Sequence, residues 1–440
     1  TRINCTKPVT LRLSTYQDYD WTLTVTQVIK RSIVMDGMIG EPVIDDANHN
    51  VLVYIDETKS LKAVHVEEFN LGGQHGTVTP DPSATDTYDF SQTVALNVRG
   101  ANDATDTEWH IYVYPKKPEE PYAILYPMSS LATLVGTMVS GQKIEVEYKR
   151  AGTSAWLKVP DANITAAGTR FTALMTSLKA GTQYACRIIA DSQTGDEESF
   201  TTAPAPQLTD ASFDNWHTIL ADSRSQLYRP WAEGGESFWD TGNKGATTVG
   251  QSNTTPTDAS CDGKGMAVSL LSKYIVIKFA AGSIFTGTYV NTDGTNGILS
   301  FGRPFNGFPT KLHINYKYHT TPIMKIGNTQ LNHLANRPDS CHIYVALADW
   351  DQPREIRTNP SNPQYFDTQD AGILAYGELI VGHDVPNWTQ HDIAIDYRPA
   401  ALGRTPKYIV VVCTSSKYGD YFTGGEGSHL WIDNFELIYD

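Results

Sequence analysis

Charge is scarce in this chain of 440 residues: only 19% of its side chains are Asp, Glu, Lys or Arg. What charge there is runs negative, 34 basic against 49 acidic groups, for a formal net charge of −15. The densest basic stretch is Lys149-Arg150. Neutralising nucleic-acid phosphates or an anionic bilayer needs clustered Lys and Arg, so neither is an expected partner. No apolar run reaches the ~18–20 residues of a transmembrane helix. Cysteine is sparse too. Cys5, Cys186, Cys261, Cys341 and Cys413 stand singly, with no CxxC and no zinc spacing. Cys186, Cys341 and Cys413 lie in apolar runs and read as small buried hydrophobes. Missing as well are a GxSxG elbow, a phosphate-binding P-loop, GxGxxG and HExxH. Long segments of 3.6-residue periodicity are absent, which excludes a helical fold.

What remains is period-two alternation, as in Val51-Leu52-Val53-Tyr54-Ile55 and Lys143-Ile144-Glu145-Val146-Glu147-Tyr148. It predicts an all-β chain. Two proline clusters interrupt it, Pro115 to Pro121 and Ala203-Pro204-Ala205-Pro206. Proline supplies no ladder N–H, so both read as linkers and give units of about 1–117, 118–205 and 206–440. In the first unit, Asp20-Trp21 and Glu108-Trp109 each open the second strand of a predicted hairpin. Residues 30–117 resemble bacterial Ig-like modules. In the second unit, Leu178-Lys-Ala-Gly181-Thr-Gln-Tyr184 resembles the tyrosine corner of a fibronectin type III domain, with Trp156 expected in the sheet core.

The third unit holds the informative chemistry. Phe213, Trp216, Tyr228, Trp231, Phe238 and Trp239 fall close together, mixed with Asn215, Arg229, Glu236 and Asp240. Flat aromatic faces beside amides and carboxylates suit sugars, whose CH groups stack while their hydroxyls need polar partners. A series of motifs extends this: Trp239-Asp-Thr-Gly-Asn243-Lys-Gly245, Phe301-Gly-Arg303-Pro-Phe305, Ala375-Tyr-Gly377-Glu378, Ser415-Ser-Lys417-Tyr-Gly-Asp420-Tyr-Phe-Thr-Gly424 and Leu430-Trp-Ile-Asp433-Asn-Phe-Glu-Leu. Together, over about residues 206–440, they are similar to the putative carbohydrate metabolism domain family of Bacteroidetes.

That resemblance implies a C-terminal β jelly roll, an oligo- or polysaccharide ligand and a cell-envelope setting. Two β-sandwiches are expected before the jelly roll, and the protein is expected to be a monomer at the cell surface or in the periplasm with its N-terminal signal removed. Within it, Trp239 is expected to stack on sugar and Tyr421 to stack or cap. Asp240, Asn243 and Glu378 are expected to bond vicinal hydroxyls, and Arg303 and Lys417 to hold an acidic sugar or orient the carboxylates. No cofactor is expected beyond a structural Ca²⁺ between Asp214 and Asp433, on the first and last strands. Hydrolysis is the alternative to binding, and needs two carboxyls roughly 5–9.5 Å apart. Candidates are Asp240 with Glu378, or Asp349 with Asp351. The latter pair resembles the acidic strand of laminarinase-like jelly rolls, with Pro353-Arg354 interrupting it. A stalk or adhesin role would need no pocket.

Overall fold

A computed structural model describes residues 8–14, 18–24, 29–101, 103–117, 123–222, 224–248, 250–275 and 278–440. Cys5 and most of the first proline cluster lie outside them. The regular secondary structure of the described residues is nearly all strand, arranged in sandwich-like sheets; their one α-helix, Asn243–Ala246, is a single turn. No helix is long and apolar enough to cross a membrane.

Strands Val9–Ser14 and Asp18–Leu23 pair as an antiparallel hairpin, and Val94–Arg99 and Thr107–Lys116 do likewise. The two tryptophans have different fates: Trp21 is 62% exposed, Trp109 only 2%. Asn50–Asp56 lies parallel to Thr107–Lys116 in a five-stranded sheet. Its alternation sends Val51, Val53 and Ile55 inward, against Ile33, Met35, Leu96 and Ile111.

Between Ala123 and Thr201 two sheets enclose a core of Leu134, Val146, Phe171, Tyr184 and Cys186. The Tyr184 hydroxyl accepts a hydrogen bond from the Lys179 amide at 2.9 Å, tying strand to loop as expected. Burial pushes the Cys186 thiol up to about 12, which makes it inert at neutral pH. Trp156 departs from expectation. It lies on the sheet surface between Lys149 Nζ at 4.0 Å and Arg187 Cζ at 4.1 Å, held by cation–π contact instead of core packing.

Beyond residue 206 two large sheets face each other. One runs in the order Arg354–Arg357, Asn296–Phe301, Ser283–Asp293, Tyr408–Thr414, Cys341–Ala348, Ile373–Val381, Asp396–Tyr397. The other runs Thr254–Thr257, Ala267–Leu271, His429–Ile438, Lys311–His319, Val385–Ala394. Leu270, Ile314 and Ile432 from the second sheet meet Ile343, Val345, Ile409 and Val411 from the first. The intervening residues Tyr344, Ala346, Val410 and Val412 point to the far face of the first sheet, where they join Phe285, Leu299 and Phe301 in a second apolar cluster. Strands with both faces covered read as continuous apolar runs, as Tyr408-Ile-Val-Val-Val-Cys413 does. Ser129 bridges the second and third units, donating from Oγ to Pro204 O and accepting from the Phe308 amide.

Candidate functional site

The far face of the first large sheet carries a cavity of about 400 Å³. Its floor is set by strand periodicity, because Tyr344, Val412, Phe285 and Phe301 all fall on the same side of adjacent strands. Tyr376 and Phe366 extend this floor; Tyr344 lies 5.2 Å from Phe366 and 6.0 Å from Tyr376 between ring centroids.

The rim is the loop after Thr414. Both its ends are anchored by a buried carboxylate. Asp339 accepts from the Gly425 amide at 2.7 Å and the Ser340 amide at 2.8 Å, and bonds the Ser416 hydroxyl. Ser272 links on to Ser415 and Ser416 at 2.8 and 2.6 Å. Burial raises the pKa of Asp339, while these hydrogen bonds oppose the rise. Between the anchors, a 3₁₀ turn at Gly419–Tyr421 ends at Phe422, whose φ of 52° is left-handed. A non-glycine residue held there stores backbone strain of the kind that clusters at ligand sites. The turn presents Lys417, Tyr418, Asp420 and Tyr421 to the cavity, with Tyr421 4.3 Å from Tyr365.

Asp420 stands out. Its side chain is exposed to water at the cavity, while the protein crowded around it desolvates the carboxyl in part and pushes its pKa up to about 6. Among the described residues its carboxyl has no hydrogen-bond or ion-pair partner, and no second carboxyl lies on the cavity wall. Nearby, His342 Nε2 and the Tyr376 hydroxyl both contact Glu378 Oε2, at 2.8 and 2.9 Å. Burial favours the neutral form of His342 despite that carboxylate. For Glu378, burial works against ionisation, but the bonds from Tyr376 and His342 and the charge of Lys417 outweigh it and hold the pKa low.

Of the site residues expected from sequence, Lys417 and Tyr421 line the cavity, and Glu378 braces two of its wall residues. The others are placed differently. Trp239 is 0% exposed, packed among Phe213, Phe238 and Phe435, with its indole N–H on Thr209 O at 2.8 Å; no ring face is left for a sugar. Asn243 is equally buried. Its NH₂ donates to Tyr228 O and Thr254 O, and its oxygen accepts from the Asn253 and Thr254 amides, so its bonding capacity is spent. Asp240 accepts from the Thr241 and Tyr289 amides and lies off the cavity wall. Arg303 braces a turn, donating to Phe238 O, Gly287 O, Ser237 Oγ and Thr288 Oγ1.

Asp349 and Asp351 are not an acidic strand pair, because the strand stops at Ala348. Asp349 is held by the Arg404 fork at 2.8 and 2.7 Å, and Asp351 is paired with Lys407. Asp433 comes together with Cys261 and Asp262, all within 4.8 Å, in a cluster that does not include Asp214. Asp214 accepts from the Met266 amide instead. Three ligand atoms fall well short of the ~6–8 oxygens that Ca²⁺ takes.

The cavity residues that sequence reading passed over are Asp420, Tyr344, Tyr365, Phe366 and Tyr376. Asp420 stood inside a quoted motif, and its signal was a lone carboxylate within the aromatic loop Tyr418-Gly-Asp-Tyr-Phe422.

Residues 212–438, just over half the chain, match the family described as "Putative carbohydrate metabolism domain". The chain belongs to that family. Its role is accordingly carbohydrate-related. Nothing among curated proteins matches the chain. Solved structures similar to it include a putative glycoside hydrolase from Bacteroides thetaiotaomicron (16% identity, 93% of this chain and 96% of that one, TM-score 0.37). A second putative glycoside hydrolase, from Bacteroides vulgatus, shares 21% identity over 52% of this chain and 96% of its own, with a TM-score of 0.40. A surface glycan-binding protein from Prevotella bryantii shares 11% identity over 93% and 98%, with a TM-score of 0.15. At TM-scores under 0.5 these likenesses carry no weight for activity.

Proposed function

We propose that this family member is a cell-envelope saccharide-binding protein acting in polysaccharide use, with the sugar held in the cavity under the 415–425 loop. The observation that carries the reading is an aromatic-walled cavity holding a carboxyl that has no partner among the described residues. Tyr365 and Tyr421 supply stacking faces for pyranose CH groups. Asp420 supplies an acceptor that two vicinal hydroxyls can satisfy at once, and those bonds offset the cost of desolvating the carboxyl.

The volume, about 400 Å³, is within the ordinary range for small-ligand clefts and suits a short stretch of sugar units better than a whole chain. Hydrolysis is the second reading, favoured by the raised pKa of Asp420, which suits a general acid. It calls for a second carboxyl across the sugar. Glu378 stands behind the wall, tied to His342 and Tyr376, and is not among the lining residues. Binding without turnover is therefore the leading reading.

A glycan array on the whole chain, with released-sugar analysis of each hit, separates the two. Binding without released sugar, weakened at least tenfold by Tyr421→Ala, is the expected result. Binding untouched by Tyr421→Ala and by Phe366→Ala refutes the cavity assignment, and turnover lost in Asp420→Asn makes the protein a hydrolase.

A further inference from the structure

We infer that the saccharide is anionic, a uronate, whose carboxylate is taken by Lys278 on the cavity wall. This rests on the saccharide reading above and adds the ligand's charge. Lys278 lies on the edge strand Lys278–Ala280 and is half-buried. Its ammonium donates to Asn296 Oδ1, lies 3.5 Å from Thr295 Oγ1, and stands 3.3 Å above the Phe422 ring. An amide oxygen, a hydroxyl and a ring face solvate an ammonium without neutralising it.

Burial shifts Lys278 towards its neutral form, and no carboxylate among the described residues offsets that. Several lysines outside the cavity are paired, Lys59, Lys143, Lys311 and Lys407 each with a carboxylate within 3 Å, while Lys317 and Lys325 rest against aromatic rings. Lys417, the second ammonium on the wall, also lacks an ion-pair partner among the described residues and lies 5.7 Å from the Tyr418 ring centroid. Against these two cations the wall sets one carboxyl, Asp420.

A net charge of −15 would repel an anion at long range. At physiological salt that field is screened beyond about 8 Å, so a partly desolvated ammonium at contact distance decides the outcome. A uronate satisfies both charged kinds of group on the wall, with its carboxylate on Lys278 and its hydroxyls donating to Asp420.

The test uses tetrasaccharides of galacturonate, glucuronate-containing and mannuronate types, each beside its methyl ester, titrated calorimetrically into the whole chain. The ester keeps shape and hydroxyls and removes only the charge. At 50 mM salt at least one acid is expected to bind about tenfold tighter than its ester. The gap should shrink at 500 mM salt, vanish in Lys278→Met and persist in Lys278→Arg. A Lys278→Met protein that still binds the ester is folded by that criterion. Equal binding of acid and ester, or a gap untouched by Lys278→Met, overturns the inference and leaves saccharide binding standing. Absence of binding to these probes and to every neutral glycan overturns both.

Discussion

Replacing Asp420 by Asn separates the requirements of the fold from those of a ligand. An isolated aspartate titrates near 3.8, whereas partial desolvation by neighbouring protein brings Asp420 to about 6. Between those values the native state binds more protons at this site than the unfolded chain does. Stability contributed here is therefore full below about pH 4 and is lost as pH rises towards 6. For a carboxyl sealed from solvent the rise would amount to roughly 3 kcal/mol. Because Asp420 opens onto a water-accessible cavity, screening reduces this to about 1 kcal/mol.

Asparagine cannot ionise and escapes the cost. Asp420→Asn is thus expected to match the parent protein at pH 4 and to exceed it at pH 8 by about 1 kcal/mol, or some 2–4 °C in Tm for a domain of this size. In the same protein saccharide affinity should fall, since the amide accepts at one oxygen where the carboxylate accepted at two. Calorimetric melting from pH 4 to 8, paired with titration of the best array ligand, measures both. A variant less stable than the parent at pH 8 refutes the reasoning, because Asp420 would then have a stabilising partner. So does a stability difference that ignores pH.

Two further outcomes follow from the packing. Trp239→Ala removes a wholly buried ring and its bond to Thr209 O, so it should cost about 3–5 kcal/mol in denaturant melts; a loss of sugar binding with stability unchanged would return Trp239 to the ligand site. Asp339→Asn weakens the bonds to the Gly425 amide and the Ser416 hydroxyl, each worth about 1.5–3 kcal/mol when the acceptor is charged. Hydrogen exchange should then accelerate across residues 416–425 while the strand Cys341–Ala348 stays protected; unchanged exchange in the loop would show that Asp339 does not anchor it.

Much of the architecture was legible because strand periodicity is local. Alternation at Val51–Ile55 and Ile144–Tyr148 predicted strands that are present, and Leu178 to Tyr184 predicted the hydroxyl-to-amide tie that Tyr184 makes to Lys179. Motifs after residue 206 pointed to the family and to a saccharide role. Placing the site fared worse. Aromatic density at 213–240 drew attention to Trp239, but density does not say which side of a sheet a ring faces, and that ring fills the core between the two sheets. Asn243 and Arg303 are the same case in polar form: their hydrogen bonds go to backbone and side-chain groups distant in sequence, and only the fold brings these within reach.

By itself, then, the sequence determined the all-β class, the tyrosine corner and the family. Each depends on composition or on residues within about ten positions of one another. Tertiary structure alone decided which face of the nine-stranded sheet is hollow, that Tyr344, Tyr365, Tyr376 and Tyr421 meet there from four separate segments, and that Asp420 and Lys278 reach its wall without counter-ions among the described residues. The physical reason is that burial and pairing are properties of the space around a group. A carboxylate or an ammonium becomes a binding site only when the folded chain removes its water and supplies no partner in return.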